Sequence, residues 1–296
     1  MSPTGAVLTS SDSAPNGELV LVQPDRSTRV LYRLATSLAG QSSLRLGTGQ
    51  LDSQWAVFDV VLGGGQGAIG AIEAVNLSTG TVHVVRDASL GTELIVSAPQ
   101  LLDGHVYWSE VSNTGQGNVY DYDLASGTKA TLDSGGVIDP EVVGGAVEWG
   151  RDGKLIWHGS PSVPPGFQVD PGKIVTLLQD GSTYAWSAWS GTGTAQRHVI
   201  YMATSGMQKP EIVYTPPSAD IVPTLLALSG PYVIFDNTYI TVLDTRTGAA
   251  TTLTSSPSPF TTAAAAGGVI ALNIVGSKGG AQLVLIRTDA LTELHC

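Results

Sequence analysis

A chain of 296 residues with 42% hydrophobic and only 13% charged residues has the material for a sizeable core and too little charge for a disordered polypeptide. Twenty-five acidic residues against 14 basic ones leave a net charge of -11, so the field of the whole molecule repels a phosphate backbone and nucleic acid is not an expected partner. Cys296 is the only cysteine, which rules out an internal disulfide and a zinc site built on several thiolates.

In chain order, residues 1–8 carry neither the basic nor the apolar stretch of a signal peptide, and no apolar run approaches the ~20 residues of a membrane span. Residues 5–10 could form a first strand, and Asn16-Gly17 leads into a second at Glu18–Val22. Trp55 opens another, running through Ala-Val-Phe-Asp-Val-Val. The loop around Gly63–Gly67 lies between strands, where a phosphate-cradling loop would have to open a helix. Asn76-Leu-Ser-Thr-Gly-Thr81 then reads as a tight turn, although Asn76-Leu77-Ser78 is formally a glycosylation sequon. Asp103-Gly104 precedes the strand His105-Val-Tyr-Trp. Tyr120 to Asp123 alternates two tyrosines on one face with two acids on the other, and ends in the turn Asp123-Leu-Ala-Ser-Gly-Thr128. Gly144-Gly145 precedes Ala-Val-Glu148-Trp149. The segment from Arg151 to Ala195, with its prolines and Trp157, Trp186 and Trp189, reads as an insertion in a long inter-strand loop. Strands resume at His198-Val-Ile-Tyr and, after Ser229-Gly230, at Tyr232-Val-Ile-Phe, followed by the turn Asp244-Thr-Arg-Thr-Gly-Ala249. The run Ala263–Ala266 is stopped by Gly267-Gly268 before one more strand, Gln282-Leu-Val-Leu-Ile is the last, and Leu291–Leu294 could clasp the N-terminal strands.

The Gly-led strand starts are evenly spaced: Gly17 to Gly104 is 87 residues, Gly104 to Gly145 is 41, Gly145 to Gly230 is 85 and Gly230 to Gly268 is 38. A period near 42 emerges once Trp55 and His198 supply the missing members. Short strands at such a period, with no helical periodicity, predict an all-β chain built as a β-propeller, with seven blades favoured over six and a single domain over 1–296. On this hairpin grammar the chain resembles the broad superfamily of bacterial TolB-like and WD40-like propellers. The resemblance implies a fold and no activity. The Gly-His and Trp-Asp marks of true WD40 repeats are absent, as is the tryptophan that follows the turn in quinoprotein blades.

No Gly-x-Ser-x-Gly elbow, His-Glu-x-x-His pair or phosphate loop with lysine occurs in the sequence. Ser126-x-x-Lys129 falls in a hairpin, where lysine cannot stand beside serine as it does on a helix. His83, His105, His158, His198 and His295 are isolated. They are expected at surface or rim positions, and the tryptophans between blades. Asp59, Glu110, Asp236 and Asn273 close equivalent strands, which predicts that they gather at one end of the propeller as a ligand-binding face able to attract Ca²⁺ or a cationic segment; Glu148 is offset and fits less well. Scarce lysine with abundant serine, threonine and glycine points to an extracellular or cell-envelope location. The expected function is a monomeric, non-catalytic binding module for protein or envelope glycan, with no required cofactor. The alternative is a metal-assisted lyase or hydrolase acting on a polysaccharide or small cyclic ester, with His158 or His198 and the strand-end acids as candidates. A third reading is the sensor domain of a larger membrane protein.

Overall fold

The computed structural model describes residues 6–11, 17–34, 44–62, 69–87, 94–137, 139–152, 154–160, 163–164, 167, 177–191, 196–253, 261–266, 268–275 and 281–293. Seven antiparallel sheets make up a seven-blade β-propeller. Contacts gather the chain into two compact units, residues 1–161 with four sheets and 162–296 with three.

In the first unit, blade one is β1 (Val7–Ser11), β2 (Glu18–Val22) and β3 (Thr28–Arg33); blade two is β4 (Leu44–Leu51), β5 (Trp55–Leu62), β6 (Ile69–Asn76) and β7 (Val82–Arg86). Blade three has a first strand broken into β8 (Ile95–Val96) and β9 (Gln100–Leu102), both paired with β10 (His105–Val111), which is followed by β11 (Gly117–Asp123) and β12 (Thr128–Gly135). Blade four is β13 (Glu141–Val143), β14 (Ala146–Arg151) and β15 (Lys154–His158). In the second unit the sheets are β16 (Leu177–Asp180) to β19 (Glu211–Tyr214), with β17 (Thr183–Ser190) and β18 (Arg197–Thr204) between them; β20 (Thr224–Ser229) to β23 (Ala249–Thr252), enclosing β21 (Tyr232–Asp236) and β22 (Ile240–Asp244); and β24 (Thr261–Ala266), β25 (Val269–Val275) and β26 (Ala281–Arg287).

The second strands are near-continuous buried runs whose successive residues point to opposite faces, so both faces of a sheet are apolar and neighbouring blades within a unit share a core layer. Leu19 and Leu46 meet Phe58, Val60 and Val75 between blades one and two. The opposite face of blade two gives Trp55, Val57 and Ile72 to a layer with Val106 and Trp108 of blade three. Tyr107 and Val119 meet Val147 and Trp149 between blades three and four. Burial of each such side chain contributes about 1.5–3 kcal/mol, which is why no blade stands alone. Tyr120 and Tyr122 pack against the second of these layers, as their alternation predicts.

Two turn devices fix the registers. The outer one joins third to fourth strands. Asn76 Oδ1 accepts from the Ser78 and Thr79 N–H groups at 3.0 and 3.1 Å, Asp123 Oδ1 from Ala125 and Ser126 at 2.8 and 3.2 Å, and Asp244 Oδ1 from Arg246 at 3.0 Å. Gly80, Gly127 and Gly248 each return a 2.8 Å bond to the carbonyl of that Asn or Asp, with φ of 74°, 71° and 72°. The inner device joins first to second strands: Asp103-Gly104 and Gly144-Gly145 have positive φ at both positions, the condition for a two-residue turn that matches strand twist.

Two expectations are corrected. His198 lies on β18, the third strand of its sheet; the second strand is β17, led in by the turn Gly181-Ser182, so the 151–195 segment contains the end of blade four and the start of blade five. Thr288–Glu293 is a 3₁₀ helix and not a strand, and Leu291 packs with Ala227, Tyr232, Ile234 and Ile270 of the last two sheets, while Leu294 lies outside the described residues.

Candidate functional site

Asp59, Glu110, Asp236 and Asn273 all stand on the second strand of their sheets, as repeat equivalence requires. Their surroundings differ. On β5, alternation puts Asp59 on the face of Trp55 and Val57; on β10 it puts Glu110 on the face of Val106 and Trp108. Both therefore turn into the layer between blades two and three, where they are 2% and 6% exposed. Gly47 makes room for Asp59, since a Cβ at that position would collide with the carboxylate. Glu110 is bound inside the scaffold: its Oε1 accepts from Arg86 Nε and from the Trp108 indole, each at 3.0 Å, and Arg86 also donates to the Gly70 carbonyl. Arg86 is 1% exposed, so the pair is a buried ion pair whose loss on one side would strand the other charge. With its charge met by arginine, Glu110 is poorly suited to hold Ca²⁺.

In the second unit, Asp236 caps a turn by accepting from the Thr238 N–H at 2.8 Å, which holds Thr238 at φ 105°. It lies on the Tyr232 and Ile234 face of β21. Asn273 lies on the face of β25 opposite Ile270 and Leu272. These two side chains thus do not share a layer.

Sequence reasoning set aside the most unusual carboxylate. Glu148 on β14 is 3% exposed, and its Oε2 has no hydrogen-bond partner. Strand register places Glu141 of β13 directly opposite it on one side and Trp157 of β15 on the other. Burial first, and the Glu141 charge second, push the Glu148 pKa up to about 7. Burial and the neighbouring Asp139 raise Glu141 as well. The signal was present in the sequence as a glutamate at an inward position of an otherwise apolar strand, between Val147 and Trp149.

The histidines are dispersed. His105 Nδ1 lies 2.8 Å from Asp121 Oδ1, His83 meets the Trp55 ring edge-on at 5.0 Å, His158 is tilted on Tyr107 and His198 packs edge-on to Trp189. Among the described residues no three His, Cys, Asp or Glu side chains converge to hold a metal ion. His295 and Cys296 lie outside the described residues, as does the Gly63–Gly67 loop. Trp55, Trp108, Trp149 and Trp186 are buried in the core as expected, whereas Trp189 is 41% exposed. Phe167 meets Trp186 at 5.5 Å, edge to face. Lys129 hangs over the Tyr120 and Trp108 rings at 3.7 and 4.9 Å, while Ser126 Oγ donates to Asp123, so the apparent serine-lysine motif is two separate structural contacts. No helix among the described residues is long and apolar enough to cross a membrane.

No family model and no curated protein matches the chain. Solved structures do. Oligogalacturonate lyase from Vibrio parahaemolyticus superposes with a TM-score of 0.60 at 12% identity, covering 95% of this chain and 86% of that one. An oligogalacturonate lyase in complex with manganese gives 0.59 at 11%, covering 95% and 85%. The β-propeller domain of the Trilobed protease from Pyrococcus furiosus gives 0.51 at 7%, covering 83% and 82%. At such identities the likeness is one of fold, the β-propeller.

Proposed function

We propose that the chain is a non-catalytic β-propeller module that binds a protein or an envelope glycan outside the cytoplasm, acts as a monomer and needs no resident metal. The observation that carries this reading is the use made of three groups that could do acid–base work and stand at repeat-equivalent or rim positions. His105 is engaged by Asp121, Glu110 by Arg86 and Trp108, and Asp236 by a turn amide. A general acid or base must instead be within reach of a substrate proton. A rigid scaffold with its charged groups so employed offers surfaces for recognition. Two expected outcomes check the proposal. The thermal midpoint stays unchanged with Ca²⁺, Mn²⁺ or EDTA, because any ligand of the folded state raises it by mass action. Acidic polysaccharides incubated with the protein, with and without Mn²⁺, release no unsaturated fragments.

The rival reading is a metal-assisted polysaccharide lyase, favoured by the two oligogalacturonate lyases among the structures of similar fold, one of them in complex with manganese. Manganese-dependent turnover in that assay would establish it and overturn the binding module.

A further inference from the structure

Trp108 and Trp149 use their indole N–H groups inside the fold, donating to Glu110 at 3.0 Å and to Asp133 at 2.8 Å. Trp189, near the end of β17, is different. It is 41% exposed, and among the described residues its N–H is donated to no partner. Register gives its neighbours: Trp189 pairs with His198, Ser187 with Ile200, and Ile200 in turn with Tyr214 at the end of β19, so all of these share one face and one end of the sheet. Ala185 and Ile200 pack there with Leu225, Val233 and Phe235, so the face is turned to the β20–β23 sheet of the same unit. Tyr214 meets the Phe235 ring at 4.5 Å, and its hydroxyl accepts from Asn237 Nδ2 at 2.8 Å. That bond brings the turn at residues 237–239 to the end of the sheet where Trp189 stands. Tyr239 in this turn is 39% exposed, and Thr238 has φ 105°, a strained value for a β-branched residue of the kind that gathers at binding sites. Around Trp189 the register places no carboxylate, lysine or arginine on this face; Glu211, which shares it, begins β19 at the other end.

We propose that Trp189 and Tyr214, beside the 237–239 turn, form a binding site for a sugar ring of a neutral glycan. The proposal rests on the binding-module reading and names its ligand class. An exposed indole gives a pyranose an apolar surface for its C–H side. The uncharged groups around it, the indole N–H, the Tyr214 hydroxyl and the Asn237 amide, suit the hydroxyls at the ring's edge. With no cation beside the indole and a net charge of -11 on the chain, a polyanionic glycan is disfavoured.

The test is titration calorimetry of the full chain with cellohexaose, mannohexaose and hexa-N-acetylchitohexaose, and with hexagalacturonate as the charged counterpart. The variants are Trp189→Ala and, as a control that trims an exposed apolar side chain in the other unit, Val84→Ala. Circular dichroism and thermal midpoints confirm that both are folded. The expected result is binding of at least one neutral hexasaccharide, weakened about tenfold or more by Trp189→Ala and unchanged by Val84→Ala. In a ¹⁵N spectrum of the parent chain, the Trp189 indole resonance, assigned by its loss in Trp189→Phe, should move on addition of the same sugar. Binding of no neutral sugar, binding that Trp189→Ala leaves unchanged, or tighter binding of hexagalacturonate would overturn the site. Each of these outcomes leaves the binding-module reading standing, whereas release of unsaturated fragments from polysaccharide removes that reading whatever the calorimetry shows.

Discussion

Glu148 makes stability depend on pH in a direction opposite to that of most carboxylates. Its pKa in the fold is about 7, against an ordinary glutamate value near 4.3 in the unfolded chain, so the folded state holds more protons between those limits. Stability is therefore full below the ordinary value and is lost as pH rises toward and through 7, and Glu141 adds a term of the same sign. The loss from Glu148 is on the order of 4 kcal/mol at most. Denaturant midpoints measured from pH 5 to pH 8 should fall for the parent chain and stay nearly flat for Glu148→Gln, with the variant more stable at the upper end. A parent profile as flat as the variant's would show that the carboxyl is not held as described. None of this was legible from periodicity, because alternation reports which face a residue takes and not what stands opposite it. The surroundings of Glu110 were hidden for the same reason: its partner Arg86 lies 24 positions away, on a different blade.

Among the elements, turns were the most legible because their grammar is local. Asn76 and Asp123 accept from the backbone amides two and three residues on, and Asp244 from the one two residues on, so the six-residue signature contains nearly everything that shapes it. Asn76→Ala removes an acceptor shared by two backbone amides and the Ser78 hydroxyl, and should cost about 1 kcal/mol without altering cooperativity, as read from urea midpoint and slope. Strand phase was less legible where the local signal weakened. His198-Val-Ile-Tyr resembles the second strands elsewhere in its apolar run, yet it is the third strand of its sheet. The true start at Thr183 follows the turn Gly181-Ser182, whose signal was hidden in a segment dominated by prolines and tryptophans. Near the other end of the chain, Asp289 accepts from Arg287 at the head of a 3₁₀ helix.

On the scale of the whole molecule, the period near 42 residues was enough to give the seven sheets, since a repeat that cannot bury both faces alone must stack. Trp108 shows how the stacking is held. It is fully buried, lies in the layer shared by blades two and three, and donates its indole N–H to Glu110. Trp108→Ala should cost about 3–5 kcal/mol in the denaturant midpoint. A loss no larger than that from Asn76→Ala would contradict the shared-layer account. Function was far less legible at this scale, because a propeller's rigid frame places few demands on the chemistry it displays.

In the outer turns, Gly80 and Gly248 have nothing within 4 Å of where a Cβ would be, so these two positions stand clear of their neighbours although the turns around them are tied to adjoining strands. Lengthening a loop costs only about 0.6 kcal/mol for each doubling of its length. The tips can therefore accept inserted peptides, or an entire guest domain, with the strands on either side still in register, which makes them natural places for such a chain to acquire new segments during descent and for an experimenter to graft a reporter.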